Sequence, residues 1–373
     1  MNQAPLNSFL LRLRATGFGS MLSRASFAAF CAILALLLAQ ASDAFAWTGR
    51  HARPESGVTI TADSVENAQW SAGRAGEASP VVLKAEVLLD RAKYSPGEID
   101  GREGENFKKA LRAFQQRNEL NPTGKLDQAT WEALASTSDQ PVLRSYTIAA
   151  SDEQGPFVDK IPQQYDAMAK LKRLGYRSPH QLIAEKFHMS EDVLARINPG
   201  AKFDHEGTQI VVANVAPIEL KDGLAAKERG NSAEGAKAER VEIDKSARVV
   251  RALGPQGQLL AFYPASIGST EKPAPSGHFT VKSVSLNPTY RYNPEYAFKG
   301  QRTRSPVTVP PGPKNPVGLV WIDLSAKSYG IHGTPTPQNV SKTESHGCIR
   351  LTNWDALALA KRVRKGTPVD FID

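Results

Sequence analysis

The sequence predicts a multidomain chain that ends in a mostly-β domain, sandwich or barrel-like, preceded by a small three-helix bundle and a βααβ segment. Three observations carry this reading. Short β-rich runs with turn signals fill residues 240–373. An apolar stripe at helical spacing marks residues 80–138. Small, polar and charged residues at 47–79 and 220–239 separate the compact stretches as a leader and a linker. A length of 373 residues allows two or three domains.

The N-terminus comes first. Residues 1–24 carry Arg12, Arg14 and Arg24 and no acid. An apolar run from Ala25 to Ala39 follows, and then Ala44-Phe45-Ala46. A basic start, an apolar middle and a small-x-small site make a cleaved export signal over residues 1–46. The run is shorter than the ~20 residues a spanning helix needs, which disfavours an uncleaved anchor. The mature chain is expected to start near Trp47, in the periplasm or cell envelope, and to meet the membrane only through this transient sequence.

Within 80–138, Val81-Val82-Leu83 and Val87-Leu88-Leu89 fit an amphipathic helix that Ser95-Pro96-Gly97 breaks. Phe107, Ala110, Leu111 and Phe114 form one buried stripe of a second helix. Asp127 is placed to cap a third, which carries Trp131 and Leu134. Over 141–215, a strand at Tyr146-Thr147-Ile148 leads to helices at Leu182–Phe187 and Val193–Pro199. A strand within Glu206–Val212 follows.

After Arg240, the runs Arg248–Leu253, Leu259–Tyr263, Gly277–Val281 and Val317–Ile322 read as strands, with a hairpin turn at Leu253–Gly257. Asn353-Trp354-Asp355 opens one helix with Leu357, Ala360 and Val363 on a face. Gly366-Thr367-Pro368 stops it, and Val369–Phe371 closes the domain as a strand. Residues Asn287–Pro294 suit either a lid over a cleft or a packed crossover, and Val309–Pro313 is rigid enough for one wall.

Charge narrows the partners. The formal net charge of +8 becomes +6 without residues 1–46. Residues 240–373 hold 18 Lys and Arg against 9 Asp and Glu. A basic C-terminal region suits an anionic polymer or a carboxylate-rich substrate. The export signal, with no basic helix or basic-aromatic cluster, argues against nucleic acid as a partner.

The chain has two cysteines, and Cys31 lies in the export signal. Cys348 is then a lone thiol in an oxidising compartment, a liability unless its chemistry is used. A thiol with a pKa of about 8.5 needs a base to become a nucleophile at neutral pH. Two histidines are near in sequence: His346, and His332, which lies 16 residues upstream of the thiol. Either is a candidate base. His332, His346 and Cys348 are also residue types that zinc accepts, but neither a fourth ligand nor a Cys-x-x-Cys pair accompanies them. No metal and no cofactor are therefore expected. His51, His180, His188, His205 and His278 read as surface or loop residues, and Trp321 and Trp354 as core.

Together, His332-Gly333 and Ser345-His346-Gly347-Cys348-Ile349-Arg350-Leu351 resemble the L,D-transpeptidase catalytic domain of the YkuD type, over residues 240–373. The resemblance implies Cys348 as nucleophile, His332 as base and the Gly333 carbonyl as the group that orients it. Ser345, His346, Gly347 and Arg350 map to positions that shape the pocket and hold the donor peptide. Some members have Asn where Arg350 stands. The implied reaction is attack of Cys348 on the third residue of a tetrapeptide stem, loss of D-Ala, and transfer of the acyl group to another stem as a 3–3 cross-link. Water as acceptor would give an L,D-carboxypeptidase, and an outer-membrane protein amine would give attachment to the wall. A non-catalytic wall-binding protein is the rival reading, opposed by the intact His332 and Cys348.

Residues 80–138 resemble the peptidoglycan-binding domain through Gly97-Glu98-Ile99-Asp100-Gly101, Ala110, Phe114-Gln115, Thr123-Gly124, Asp127 and Thr130-Trp131. Asn106-Phe107 departs from the commoner pattern there. The βααβ order of 141–215 resembles the LysM module, without the usual Gly-Asp-Thr after its first strand. The implied partner is peptidoglycan, both glycan strands and stem peptides.

Overall fold

Three helices build the N-terminal bundle: Pro80–Arg91, Glu105–Arg117 and Gln128–Ala135. In the second, Phe107, Ala110, Leu111 and Phe114 are all buried, as their spacing requires. The Asp127 side chain accepts from the Thr130 N–H at 2.8 Å and caps the third. The computed structural model describes residues 59–71, 78–219, 236–269, 272–296, 298, 300–345 and 347–373. The expected export signal with Cys31, most of the linker and His346 lie outside the described residues. Part of the expected flexible leader is structured. Thr61 caps a short helix, Ala62–Glu66, whose Val65 is buried, and Trp70 donates to the Leu126 carbonyl at 2.9 Å. Among the described residues no helix is long and apolar enough to cross a membrane.

In the next segment, β1 (Leu143–Thr147) pairs antiparallel with β2 (Gln209–Ala213), with Tyr146 opposite Ile210. The two expected helices lie between them, at Pro179–Lys186 and Glu191–Ile197. Ser178 and Ser190 cap them by accepting from the N–H groups of Gln181 and Val193. The long stretch before them adds two one-turn helices, Ala150–Glu153 and Tyr165–Met168, so the order is richer than βααβ. His188, expected on the surface, is 93% buried by its 7% exposure. It stacks on Trp354 at 5.0 Å and bonds Asp90 through Nδ1 at 2.9 Å.

The C-terminal strands are β3 (Arg240–Asp244), β4 (Val249–Leu253), β5 (Leu259–Pro264), β6 (Ser266–Ile267), β7 (Gly277–Leu286), β8 (Tyr290–Tyr292), β9 (Val307–Val309), β10 (Val320–Leu324), β11 (Gly330–His332), β12 (Ile349–Arg350) and β13 (Pro368–Ile372). All but β8 and β9 form one sheet in the order β5-β4-β3-β13-β7-β10-β11-β12-β6. The two edge strands of that order, β5 and β6, are separated in sequence only by Ala265. The chain thus steps from one edge of the sheet to the other, and the sheet curls into a nearly closed barrel. The helix Asn353–Arg362 packs on it, capped by Thr352. Trp354, Ala356 and Leu359 are buried in the barrel core, and Leu357 and Ala360 pack against it partly buried.

The segments expected as separate domains share cores. Along β5, Ala261 and Tyr263 enter the barrel core while Phe262, pointing the other way, enters the core of the N-terminal bundle. Full burial of such a ring stabilises by about 1.5–3 kcal/mol. Backbone bonds reinforce the contact: Phe262 N–H donates to Lys93 at 2.9 Å, and Ser95 N–H to Phe262 at 3.0 Å. Further along, Lys314 and Glu185 form a buried ion pair at 2.8 Å, and Asn353 Nδ2 donates to the same carboxylate at 2.6 Å. Glu185→Ala leaves the Lys314 ammonium buried without its counter-charge, which is expected to cost about 3–5 kcal/mol. Urea unfolding of the variant against the parent checks this. A loss below 1 kcal/mol, the ceiling for exposed pairs on the order of magnitude seen at surfaces, contradicts it.

Candidate active site

The site starts from a strand register. β11 pairs parallel with β12, with Ile331 opposite Ile349 and His332 opposite Arg350. On its other side β11 pairs with β10, which puts Trp321 opposite His332, and β10 pairs with β7, which puts Ser285 opposite Trp321. Ser285, Trp321, His332 and Arg350 therefore form one row across four strands, and all four line a single cavity of about 460 Å³. Cys348 sits two residues before Arg350 and lines the same cavity. Ile331 and Ile349, the alternate residues, are fully buried beneath the sheet.

His332 is held from several sides. Its carbonyl accepts from the Leu351 N–H at 2.8 Å, and the next residue's N–H donates to Val320 at 3.2 Å. Its Nδ1 lies 2.6 Å from the Gly333 carbonyl, so Nδ1 carries the proton in that bond and Nε2 is left to accept one. Gly333 has no room for a side chain, since a Cβ there would lie 2.2 Å from Asn353 Oδ1. Burial pushes the imidazole pKa down to about 3, aided by the Arg350 charge and opposed by the Gly333 bond. Burial also pushes the Cys348 thiol up, against the Gly330 backbone and the charges of Lys272 and Arg350. The resting pair is therefore a neutral thiol and a neutral imidazole, not a preformed thiolate and imidazolium.

The other expected site residues take different places. Ser345 is buried away from the cavity lining, and its hydroxyl donates to the Cys348 carbonyl while its N–H donates to Gly268 at 3.0 Å. It fastens the turn that carries the thiol. Gly347 adopts φ +102°, a left-handed conformation that glycine accepts freely, so no extended alternation runs from residue 346 to Cys348. Arg350 faces the cavity, and its Nε is buried without a hydrogen-bond partner among the described residues.

Several lining residues escaped the sequence reading. Trp321, expected in the core, stacks on His332 at 5.7 Å and lines the cavity, whereas Trp354 is core. The alternating burial of β10 was the available signal, since Val320, Ile322 and Leu324 already fill its inner face. Pro288, Thr289, Tyr290 and Arg291 also line the cavity, so that loop borders the site. The Val309–Pro313 stretch is not the wall; Pro316 and Val317 are, and Pro311 instead accepts a bond from Leu174 at 3.0 Å. Tyr165 and Lys272 complete the surprises.

Two stretches of the chain are similar to known protein families. Residues 238–371 match the family model of the L,D-transpeptidase catalytic domain, YkuD, and residues 78–134 match that of a putative peptidoglycan binding domain. The C-terminal part of the chain is thus similar to L,D-transpeptidase catalytic domains, and the part before it to putative peptidoglycan binding domains. Neither range reaches residues 141–215. A putative L,D-transpeptidase YkuD of Bacillus licheniformis is 32% identical over 132 residues, which is 35% of this chain and 64% of that protein. A probable L,D-transpeptidase YbiS of Escherichia coli K12 is 36% identical over 116 residues, 30% of this chain and 37% of that protein. The chain thus spans less than two thirds of either relative. Among solved structures, an L,D-transpeptidase from Xylanimonas cellulosilytica aligns at 14% identity and a TM-score of 0.35, covering 82% of this chain and all of that one.

The protonation states predict a pH profile. A thiol above its usual pKa gains thiolate about tenfold per pH unit through neutral pH, with no plateau between pH 5 and 8. Alkylation of Cys348 by iodoacetamide is expected to follow that single slope. A plateau in that range would mean an ion pair and contradict the neutral resting state.

Proposed function

We propose that this chain is a cell-wall L,D-transpeptidase acting outside the cytoplasm, with Cys348 as nucleophile and His332 as base. The observation that carries the proposal is the β11–β12 register, which brings the thiol, a neutral imidazole and a guanidinium whose Nε has no hydrogen-bond partner among the described residues to one cavity. In the first half-reaction Cys348 gives its proton to His332 Nε2, and sulfur attacks the carbonyl carbon of the third stem residue. Backbone N–H groups around Gly347 and Cys348 are the donors proposed for the oxyanion. The C–N bond then breaks, D-Ala leaves with the proton from His332, and a thioester remains on Cys348. In the second, an acceptor amine from another stem attacks the thioester, loses its proton through His332, and frees the thiol. The Gly333 carbonyl keeps Nδ1 protonated throughout.

The N-terminal domain supplies affinity for peptidoglycan in this reading, and the segment 141–215 a LysM-like contribution to the same polymer. Residues 1–46 export the chain. The same acyl-enzyme passed to water would act as an L,D-carboxypeptidase, and passed to a protein amine would anchor that protein.

The test is incubation of the chain lacking residues 1–46 with tetrapeptide-stem muropeptides, followed by mass analysis. The expected product is a covalent adduct on Cys348 that has lost its terminal D-Ala, absent in Cys348→Ala. His332→Ala is expected to slow acylation by about 10²- to 10⁴-fold. Turnover retained by Cys348→Ala would sink the proposal.

A further inference from the structure

The catalytic cavity has a wall from outside the catalytic domain. The one-turn helix Tyr165–Met168 belongs to the 141–215 segment, yet Tyr165 lines the cavity beside Cys348 and Arg350. Two glutamines hold it there. Gln164 Nε2 donates to the Gly300 carbonyl at 2.9 Å, and its Oε1 accepts from the Arg302 N–H at 2.6 Å. In return, Gln301 Nε2 donates to the Gln163 carbonyl at 2.8 Å, and its Oε1 accepts from the Tyr165 N–H at 3.2 Å. Each side chain thus spends both ends of its amide on the backbone of the other segment. The Asp166 N–H adds a bond to Thr303 Oγ1 at 3.2 Å. With the Thr303 hydroxyl donating to Asp166 Oδ1 at 3.3 Å, six bonds fix residues 163–166 onto residues 300–303, and the Tyr165 ring packs on Tyr292 at 4.7 Å and Tyr290 at 5.5 Å.

Placement of the ring leaves its polar end without a partner. The Tyr165 hydroxyl makes no hydrogen bond among the described residues, and neither does the Arg350 Nε, which is buried. Arg350 forms no ion pair among them either. Burial raises the Tyr165 phenol above its usual pKa, and the Arg350 charge opposes this, so the two groups feel each other across the cavity. At neutral pH both are donors. A phenol open to the cavity and a buried guanidinium Nε without a partner among the described residues line one cavity and suit an anionic oxygen acceptor. A carboxylate matches, because a guanidinium engages it through charge and a phenol adds a directional bond.

We propose that Tyr165, brought to the cavity by the reciprocal Gln164–Gln301 clamp, determines specificity by binding, with Arg350, a free carboxylate of the acyl donor. The inference rests on acylation of Cys348 by a stem peptide. Selection of the donor is then shared between the catalytic domain and a segment far from it in sequence.

The test compares two donors on the chain lacking residues 1–46: a tetrapeptide stem with free carboxylates and the same stem with them converted to carboxamides. Tyr165→Phe keeps the ring contacts and removes the hydroxyl. It is expected to raise KM for the free-carboxylate donor by about tenfold, the scale of a hydrogen bond to a charged group, with kcat within about twofold. The carboxamide donor should show no such change, and the rate at which iodoacetamide alkylates Cys348 should match the parent. Equal effects on the two donors, or no effect on either, overturn the inference while leaving the acyl-enzyme intact. A parent chain that neither donor acylates overturns the proposed function, and this inference with it. Gln301→Ala, which loosens the clamp without touching the phenol, should move KM in the same direction as Tyr165→Phe; an unchanged KM removes the clamp from the argument.

Discussion

The parallel pairing of β11 with β12 is the constraint on which the site depends. Parallel neighbours need a crossover, and here it runs from Gly333 to Cys348 through a turn at Pro337–Asn339. Two short strands pair weakly alone. Their fixity comes from position: β10 flanks β11, β6 flanks β12, and Ile331 and Ile349 anchor both to the barrel core. Side chains on a packed sheet are held more tightly than side chains on loops. The imidazole therefore has its orientation from the sheet, and from a carbonyl that its own strand supplies.

That geometry has an electrostatic cost and a benefit. Burial disfavours charge on both Cys348 and His332, so the nucleophile is not formed in advance. Oxidants attack thiolates rather than thiols, so a protonated Cys348 is shielded from them. A chain whose other cysteine lies in the apolar N-terminal run gains from that shielding, because no second thiol in the described residues can rescue the first.

Much of this was legible from local pattern. The Phe107–Phe114 stripe and the Asp127 cap follow from periodicity and capping chemistry that act within a few residues. The spacing of His332 and Cys348 pointed to one site before any strand was placed. What could not be read depends on contacts between distant segments. Tyr165 lies in a stretch without periodicity, and contacts with residues 290–303, Gln301 among them 136 residues on, set its position. His188 is buried where it stacks on Trp354 and bonds Asp90, both far from it in sequence. Trp321 was misplaced for a different reason: a large aromatic residue in a strand is most often core, and here the row beside His332 claims it.

The β4–β5 hairpin gives the fold its seam. Val250, Ala252, Ala261 and Tyr263 belong to the barrel, while Val249 and Phe262, from the same two strands, belong to the helical core behind. The linker at 220–239 looks like a place where two independent parts were joined, and recombination there would carry the whole catalytic signature to a new host. The hairpin makes such a transplant incomplete. A barrel received without its bundle would present Val249 and Phe262 to water, and a bundle received without its barrel would lose two core side chains. Because packed interiors tolerate little change in volume, a drift in ring size at position 262 must be answered by the helices it touches. The two halves are free to part company in sequence and bound to change together in substance.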